Sequence, residues 1–341
     1  MTLPSTHRPV LSPGLARLWR QDGTLQLGRT ASQAVLLPEA GRHRDVLALL
    51  DGTRTLDQVR QERPEAGEVL DQLAASGVLV GVDDLIPVGL PREDRERLAP
   101  DLSSLALVHG TGAARALQAR RRARIVIHGA GRVGAPLAGL LDAAGVGHVD
   151  VRDDRVTRLA DLAVGGLTAA DTGRPRGTAV NERLRERPTR GELDLVVLAD
   201  DPSGDDTATL ATLLCRTGVP HLVAAVDERT GTVGPLVRPG RSCCLACLEL
   251  TRRSLDPYWP AVAAQLPRRG PTSPACDGVL AMAVAAQAAL QVLQLLEGHE
   301  PAAVGGTLEL TLPGWAWRRR SWPRHPGCSC SWDEQFDPAV A

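Results

Sequence analysis

Three glycines at a fixed spacing are the first residues in the chain whose pattern indicates chemistry. Gly129, Gly131 and Gly134 form a Gly-x-Gly-x-x-Gly turn between an apolar run and a segment of helical periodicity. Asp153 follows the last glycine by about 20 residues, at the end of a second apolar segment. In such a turn bare backbone approaches a phosphate, and the acid accepts a hydrogen bond from a ribose hydroxyl. The four residues therefore predict a nucleotide-binding geometry.

Four cysteines form a second pattern. Cys244-x-x-Cys247 and Cys328-x-Cys330 are two pairs far apart in the sequence. A Cys-x-x-Cys turn presents two thiolates to one metal, and a second pair completes a tetrahedron, for which zinc is the natural metal. Such a site is structural, because four protein ligands leave no position for water, and it would hold the C-terminal tail on the central domain. Four unpaired buried cysteines are the alternative, and Cys243 could replace Cys244.

Two further cysteines carry weaker signals. Cys276 precedes a long apolar helix, where a lowered pKa would suit a nucleophile, but no histidine is assigned to it. We therefore expect Cys276 to be structural, and Cys215, inside a helix, to be core.

The elements that position these residues alternate between strands and helices, which predicts a doubly wound, mainly parallel, Rossmann-like sheet. Ligands of such sheets lie at the carboxyl ends of the strands, where Asp153, Asp154, Asp200 and Asp201 fall. The predicted strands are 125–127, 148–152, 193–199, 222–226, 233–237 and 308–312, with a weak one near 177–180, and the predicted helices are 137–144, 207–215 and 277–296. The last helix is apolar nearly all round, so its place is the interior or a subunit interface, which would make a homodimer.

Residues 1–85 predict a separate α+β module of winged-helix type, with a strand at 24–27, a hairpin partner at 33–37, three short helices and a closing strand at 78–80. Its third helix, near 65–76, carries three acids and no arginine, which argues against DNA phosphates. An extended peptide could instead add to a sheet edge beside that helix, at the strand near 25–28 or at the one near 78–80, with Leu25, Leu27, Val69 and Leu73 as contacts. A plain accessory or dimerisation domain is the other alternative.

Composition limits the remaining possibilities. The 341 residues have a net charge of −1 and contain no lysine, so any mechanism that needs a catalytic lysine is excluded. We find no membrane span and no signal pattern, and therefore expect a cytoplasmic protein. The basic, Trp-containing run at 315–322 fits a half-buried edge strand better than a nucleic-acid patch. Residues 86–123 read as a linker, and 124–341 as the central domain with the zinc site.

Taken in order, the glycine turn, the Asp153 strand end, the LDLVVLADD segment, the Cys-x-x-Cys, the long helix and the C-terminal cysteine pair resemble the ThiF/MoeB/HesA family of ubiquitin-like-modifier-activating folds. The segments LQLG, LLDGTRTL and LAASGVL resemble a PqqD-like module, which recognises leader peptides. The combination is similar to the ThiF-like partner of YcaO cyclodehydratases in azole/azoline peptide biosynthesis. The resemblance implies leader-peptide binding and delivery of the precursor to a separate YcaO enzyme.

The chain departs from the adenylating members of that family. Asp153 matches their ribose-binding acid, but Arg155 stands at the place of a second acid. Their phosphate-binding arginine has no counterpart in 159–164, their lysine is missing, and of their magnesium-binding signature only Asp201 matches. Because adenylation needs cations on the phosphates, we expect a degenerate site in which ATP binding is doubtful. An ATP-dependent adenylyltransferase acting on a peptide or carrier C-terminus is the rival hypothesis, and an NAD-dependent oxidoreductase, which lacks a clear acid or base here, ranks last.

Overall fold

The computed structural model describes residues 4–30, 32, 34–185, 191–199, 205–266 and 275–330. The chain divides into two compact units, Met1–Ala119 (unit 1) and Arg120–Ala341 (unit 2). Asp200 and Asp201, predicted at the carboxyl end of a strand, lie outside the described residues. The segment 86–123, predicted as a linker, is largely helical.

Unit 1 begins with an α+β module, as its periodicities predict. Its strands are β1 (Pro9–Leu11), β2 (Arg17–Trp19), β3 (Leu25–Leu27), β4 (Val35–Leu37) and β5 (Leu79–Gly81), and its first helices are α1 (Arg44–Leu49), α2 (Leu56–Glu62) and α3 (Gly67–Ala75). β2, β3 and β4 form an antiparallel sheet with β3 in the middle, whereas β5 pairs with β1. Thr55 caps α2 in a reciprocal box with Gln58, which fixes where that helix starts.

The rest of unit 1 extends the module with helices. They are α4 (Arg92–Arg97), α5 (Ala99–His109) and α6 (Ala113–Arg122), the last of which ends beyond the unit boundary. Leu98, Leu102 and Leu105 recur at helical spacing, and they are buried together with Leu117 of α6 in a small core of their own. These apolar stripes explain why the segment is structured despite its many charges.

Unit 2 contains a seven-stranded sheet in the order β12-β11-β10-β9-β8-β6-β7. The strands are β6 (Arg124–His128), β7 (His148–Arg152), β8 (Leu195–Leu198), β9 (His221–Asp227), β10 (Thr230–Val237), β11 (Gly306–Thr311) and β12 (Arg318–Ser321). The strands β6, β7, β8 and β9 pair in parallel. The strands β10, β11 and β12 extend the sheet beyond β9 in antiparallel pairing. This confirms the doubly wound sheet and adds an antiparallel extension.

The helices of unit 2 cover this sheet. They are α7 (Gly134–Ala143), α8 (Arg176–Asn181), α9 (Asp205–Arg216), α10 (Leu245–Leu255), α11 (Trp259–Ala263) and α12 (Gly278–Leu296). The strand predicted near 177–180 is wrong, because those residues form α8. Gly177 there comes so close to β7 that a Cβ atom would lie 2.9 Å from the Asp153 nitrogen, a helix-to-strand approach that alternation in the sequence does not reveal.

α12 is the one helix of the described part of the chain whose length and apolarity would suffice to cross a membrane. It packs on α7, β9 and β10, and its inward residues, including Ala281, Val284 and Ala288, are fully buried in the main core. This is the interior position predicted from its composition. Val279 and Leu290 remain exposed on its outer side.

The basic segment near the C-terminus forms an outer strand, β12, which pairs only with β11 among the described strands. It begins at Arg318, and all four of its residues are exposed, so the expected half-buried strand is shorter and more exposed than predicted. Trp315 lies before the strand and is exposed, whereas Trp322 is buried just after it.

Candidate functional site

The glycine turn joins β6 to α7, and two of its glycines have a clear steric reason. Gly129 has a positive φ of 99°, which favours glycine. A Cβ atom on Gly134 would lie 1.9 Å from the Gly129 carbonyl oxygen, so only glycine lets the helix start this close to the strand. Around Gly131 a Cβ atom would meet nothing within 4 Å, so the backbone there faces open space. The turn therefore has the form that a phosphate cradle requires.

Asp153 follows β7 and its side chain lies against this turn. The Ala130 N–H donates to Oδ2 at 2.8 Å. Arg155 donates three times, from its backbone N–H and Nε to Oδ1 at 3.0 and 2.8 Å, and from Nη2 to Oδ2 at 2.7 Å. Burial raises the pKa of Asp153, but the hydrogen bonds from Arg155 and Ala130 outweigh it and hold that pKa below its usual value. Asp153 is thus a buried, ionised carboxylate whose partners come from its own chain.

A second arginine lies beneath this pair. Arg176 is buried at the start of α8, with Nη2 2.6 Å from Asp161 Oδ2 and Nη1 3.6 Å from Asp153 Oδ2. Its backbone N–H donates to the Arg155 carbonyl at 2.9 Å, so α8 is tied to the loop that follows β7. Alternating acids and arginines therefore fill the carboxyl end of β7.

A cavity of about 720 Å³ lies beside the turn. Its walls are mostly apolar, with Leu162, Val164 and Met282 among them, and Arg132 is the one cation among the described residues that line it. Arg132 donates to the Cys276 carbonyl. Burial raises the pKa of the Cys276 thiol, which is opposite to what a nucleophile needs.

These observations test whether ATP, which the fold implies, fits the residues present. The acid expected to hold the ribose already accepts four hydrogen bonds, which is the capacity of a carboxylate. The described lining of the neighbouring cavity offers one guanidinium for three phosphates, and the chain contains no lysine. The residues described here do not fit ATP in the arrangement that the structure shows.

The cysteine cluster contrasts with the turn, because its four donors converge. The Sγ atoms of Cys244, Cys247, Cys328 and Cys330 lie within 4.8 Å of one another, and three of their separations are 3.8, 3.6 and 3.3 Å. Tetrahedral zinc with Zn–S bonds of about 2.3 Å needs sulfur atoms roughly 3.8 Å apart. All four cysteines are free of disulfides. The cluster can therefore hold a metal, and its chemistry suits zinc.

Local structure explains this convergence. Cys244 is the N-cap of α10 and Cys247 lies in its first turn, whereas Cys328 and Cys330 come from the tail after β12. Trp322 is buried beside them and donates from Nε1 to Thr307 Oγ1 at 3.0 Å, which anchors the start of the tail on β11. Burial raises the pKa of the Cys328 thiol to about 11, so a cation is needed to keep this ligand ionised.

The third predicted site requires a correction. Leu25, Leu27, Val69 and Leu73 are all at most 2% exposed and form the core of the N-terminal module. β3 also has a partner on each side, so no peptide can add to it. Alternation and helical spacing identified apolar positions correctly, but such positions face inward.

The open edges of that sheet are β2 and β4, and β4 lies beside α3. Gln72 on α3 donates from Nε2 to the Leu36 carbonyl at 3.2 Å. Leu36 itself pairs with Gln26 of β3 and its side chain is 42% exposed. A strand edge next to a helix is thus present in the module, one strand away from the predicted one.

Comparison with known proteins identifies a matching family and solved structures of similar fold. Residues 103–197 match the ThiF family. The chain also superposes on E. coli MccB bound to succinimide with a TM-score of 0.72, at 13% identity over 95% of this chain and 99% of MccB. The microcin C7 biosynthetic enzyme MccB in complex with N-formylated MccA gives 0.71 at 14% identity with the same coverage. PaaA gives 0.65 at 16% identity, covering 91% of this chain and 99% of PaaA. No curated protein matches the sequence significantly.

The ThiF-like fold predicted from the motifs is thereby confirmed. Sequence reasoning missed three residues of these sites, namely Arg176, Gln72 and Cys215. Cys215 packs against the cysteine cluster, and the neighbouring Cys244 thiol lowers the pKa of Cys215 although burial opposes it. A lone cysteine in a helix, or a glutamine on an exposed face, carries no spacing signal that could have identified it.

Proposed function

We propose that this chain binds the leader peptide of a ribosomally made precursor in the cytoplasm and presents the precursor to a separate YcaO-type cyclodehydratase, which forms azolines and azoles. The observation that carries the proposal is the open edge of β4 beside α3. Support also comes from MccB, a biosynthetic enzyme of similar fold that has been captured with MccA.

Backbone geometry makes β4 a receptor for an extended chain. Because Gln72 reaches the Leu36 carbonyl from outside the sheet, that carbonyl points away from β3. In antiparallel pairing the N–H and C=O of one residue point to the same side, so the Leu36 N–H also faces outward. An incoming strand would form a two-bond pair with Leu36 and displace the Gln72 amide.

Side chains around this edge indicate what the leader presents. Leu18, Gln26 and Leu36 form one row across the outer face of the sheet, and both leucines are more than 40% exposed. A strand added to β4 extends this row by one residue, for which we expect an apolar side chain. Glu68 is exposed in the first turn of α3, and Asp71 pairs with Arg60 at 2.9 Å. An acidic helix suits a peptide better than a phosphate backbone.

The chemistry itself would come from the partner enzyme. Asp153 is fully engaged by its own chain, and no lysine exists to stabilise phosphates. A protein with a peptide receptor but without these groups acts by presentation rather than by adenylation.

The experiment first searches the genes beside this one for a short precursor, and then measures fluorescence polarisation of its labelled leader with the full chain. Leu36→Pro removes the N–H that points outward but keeps the hydrogen bonds between β3 and β4. We therefore expect the Kd for the leader to be at least tenfold weaker. Arg17→Pro is the matched control, since the same alternation points the Arg17 N–H outward on β2. Equal binding by wild type and Leu36→Pro would exclude β4 as the receptor.

One observation favours the rival, an ATP-dependent adenylyltransferase acting on a peptide or carrier C-terminus: MccB has been captured with ATP and with AMPCPP. The rival predicts ATP-dependent pyrophosphate exchange that is lost in Asp201→Ala. We expect no exchange in the presence of the leader. The homodimer stays a prediction, for which light scattering of wild type and Leu290→Glu is the test.

A further inference from the structure

We propose that Arg155 is a built-in occupant of the ribose position beside the glycine turn, and that this one side chain excludes ribonucleotides from the site. The inference concerns unit 2 alone and does not depend on the peptide-binding role. Asp153 stands where the acid of such turns accepts ribose hydroxyls. Its four acceptor positions are filled, and two of the four bonds come from the Arg155 guanidinium.

Arg155, rather than Arg176, is the residue that closes the position. The Arg155 side chain is half exposed, at 49%, while the Asp153 side chain is 1% exposed, so the guanidinium lies between the carboxylate and solvent. Arg176 is buried underneath and is shared with Asp161. A ligand that approaches Asp153 from solvent therefore meets Arg155 first.

Removal of this side chain should leave the rest of the site in place. Without the guanidinium, Asp153 still accepts from the N–H groups of Ala130 and residue 155 and still faces Arg176 at 3.6 Å. The loop remains tied to α8 through the Arg155 carbonyl. One acceptor position on each oxygen then opens, which matches the two hydroxyls of a ribose.

The phosphate side of the site is still shaped for a ligand. The positive φ of Gly129 and the open space at Gly131 preserve the close approach of backbone to phosphate. The ligand class is therefore a ribonucleotide with free 2′ and 3′ hydroxyls. Charge alone predicts the opposite result, because removal of an arginine weakens the attraction for an anion.

The test measures binding of ATP and of 2′,3′-dideoxy-ATP to the full chain by calorimetry. We expect Arg155→Ala to bind ATP at least tenfold more tightly than wild type, and dideoxy-ATP no more tightly than wild type does. Arg158→Ala is the matched control, because Arg158 is a nearby exposed arginine, 3.8 Å from Asp161. We expect it to behave like wild type.

Arg155→Gln serves as a second variant should the alanine variant fail to fold, as judged by its thermal transition. Tight ATP binding by wild type would overturn the proposal. A folded Arg155 variant without gain, or an equal gain for ATP and dideoxy-ATP, would overturn it as well.

Discussion

The cysteine cluster and the glycine turn are both short motifs on the same sheet, yet they differ in how their polar atoms are satisfied. The four thiols of the cluster converge, with their Sγ atoms within 4.8 Å of one another. The acid of the turn, in contrast, is held by Arg155 and by the Ala130 N–H. A set of donor atoms that converges on one point indicates a ligand. A carboxylate whose acceptor positions are already filled by its own chain indicates a structural role.

The two motifs also differ in why their residues are needed, for packing in one and for binding a ligand in the other. The packing of β6 on α7 requires glycine at 134, as the 1.9 Å approach shows, and the positive φ of 99° favours it at 129. The cysteines have no such packing reason, since four buried thiols could be replaced by small apolar residues. A steric requirement can thus explain part of a fingerprint independently of any ligand.

The largest expected effect concerns the cluster. Cys244→Ser should lose zinc and lower the free energy of unfolding by several kcal/mol, because metal binding to such sites is coupled to folding. Metal analysis should find one zinc per chain in wild type, and urea unfolding followed by tryptophan fluorescence measures the loss. Cys276→Ser, outside the cluster, is the control. Wild type without zinc, or equal stability of the two variants, would contradict the zinc site.

The second effect separates steric need from ligand need within the turn. Gly134→Ala forces a methyl group against the Gly129 carbonyl and should cost about 3 kcal/mol. Gly131→Ala meets nothing within 4 Å and should change stability by roughly 0.5 kcal/mol or less. Thermal unfolding of both variants checks this, and an equal loss would show that the two glycines do not differ in role.

Comparison of the two motifs also shows what the sequence alone could reveal. Strand runs such as 125–127 and the Cys-x-x-Cys pair were readable because their periodicity or spacing is local. The middle position of β3, by contrast, depends on pairing with β2 and β4, so Leu25 and Leu27 were assigned to a surface although they are core. Likewise the sequence predicts a strand where α8 lies, because the short apolar run there has no clear period.

Arg155 lies between these cases. Its identity at the strand end was visible in the sequence and suggested a lost second acid. The sequence could not predict that its guanidinium binds Asp153 with two hydrogen bonds. An arginine two residues after an acid at a strand end can point to either side. The three-dimensional contact changes the interpretation from a missing group to an occupied position.

A smaller effect is expected from the acid itself. Asp153→Asn removes the anion that Arg155 pairs with and one of the two carboxylates beside Arg176, and it should cost roughly 2–3 kcal/mol at pH 7. The folded-state pKa of Asp153 is lowered, so its contribution is present above the unfolded value near 3.8 and is lost as the pH falls through the folded value. Urea unfolding from pH 7 to pH 2 should therefore show the two proteins converging in acid. A constant difference would mean that the ionised carboxylate is not what stabilises the turn.

The smallest effect tests whether this internal compensation extends along the loop to Asp171. That carboxylate accepts from the Thr168 N–H at 2.7 Å and from Arg183. Burial raises its pKa, but these bonds outweigh burial and hold the pKa at about 2. Because the folded-state pKa of Asp171 is depressed, wild type should lose its contribution to the free energy of unfolding between about pH 4 and pH 2. Asp171→Asn should lack this part of the pH dependence and be roughly 1–2 kcal/mol less stable at neutral pH. Glu192→Gln, an exposed acid outside the network, should keep the wild-type slope, and an Asp171→Asn curve parallel to wild type would confine the compensation to Asp153.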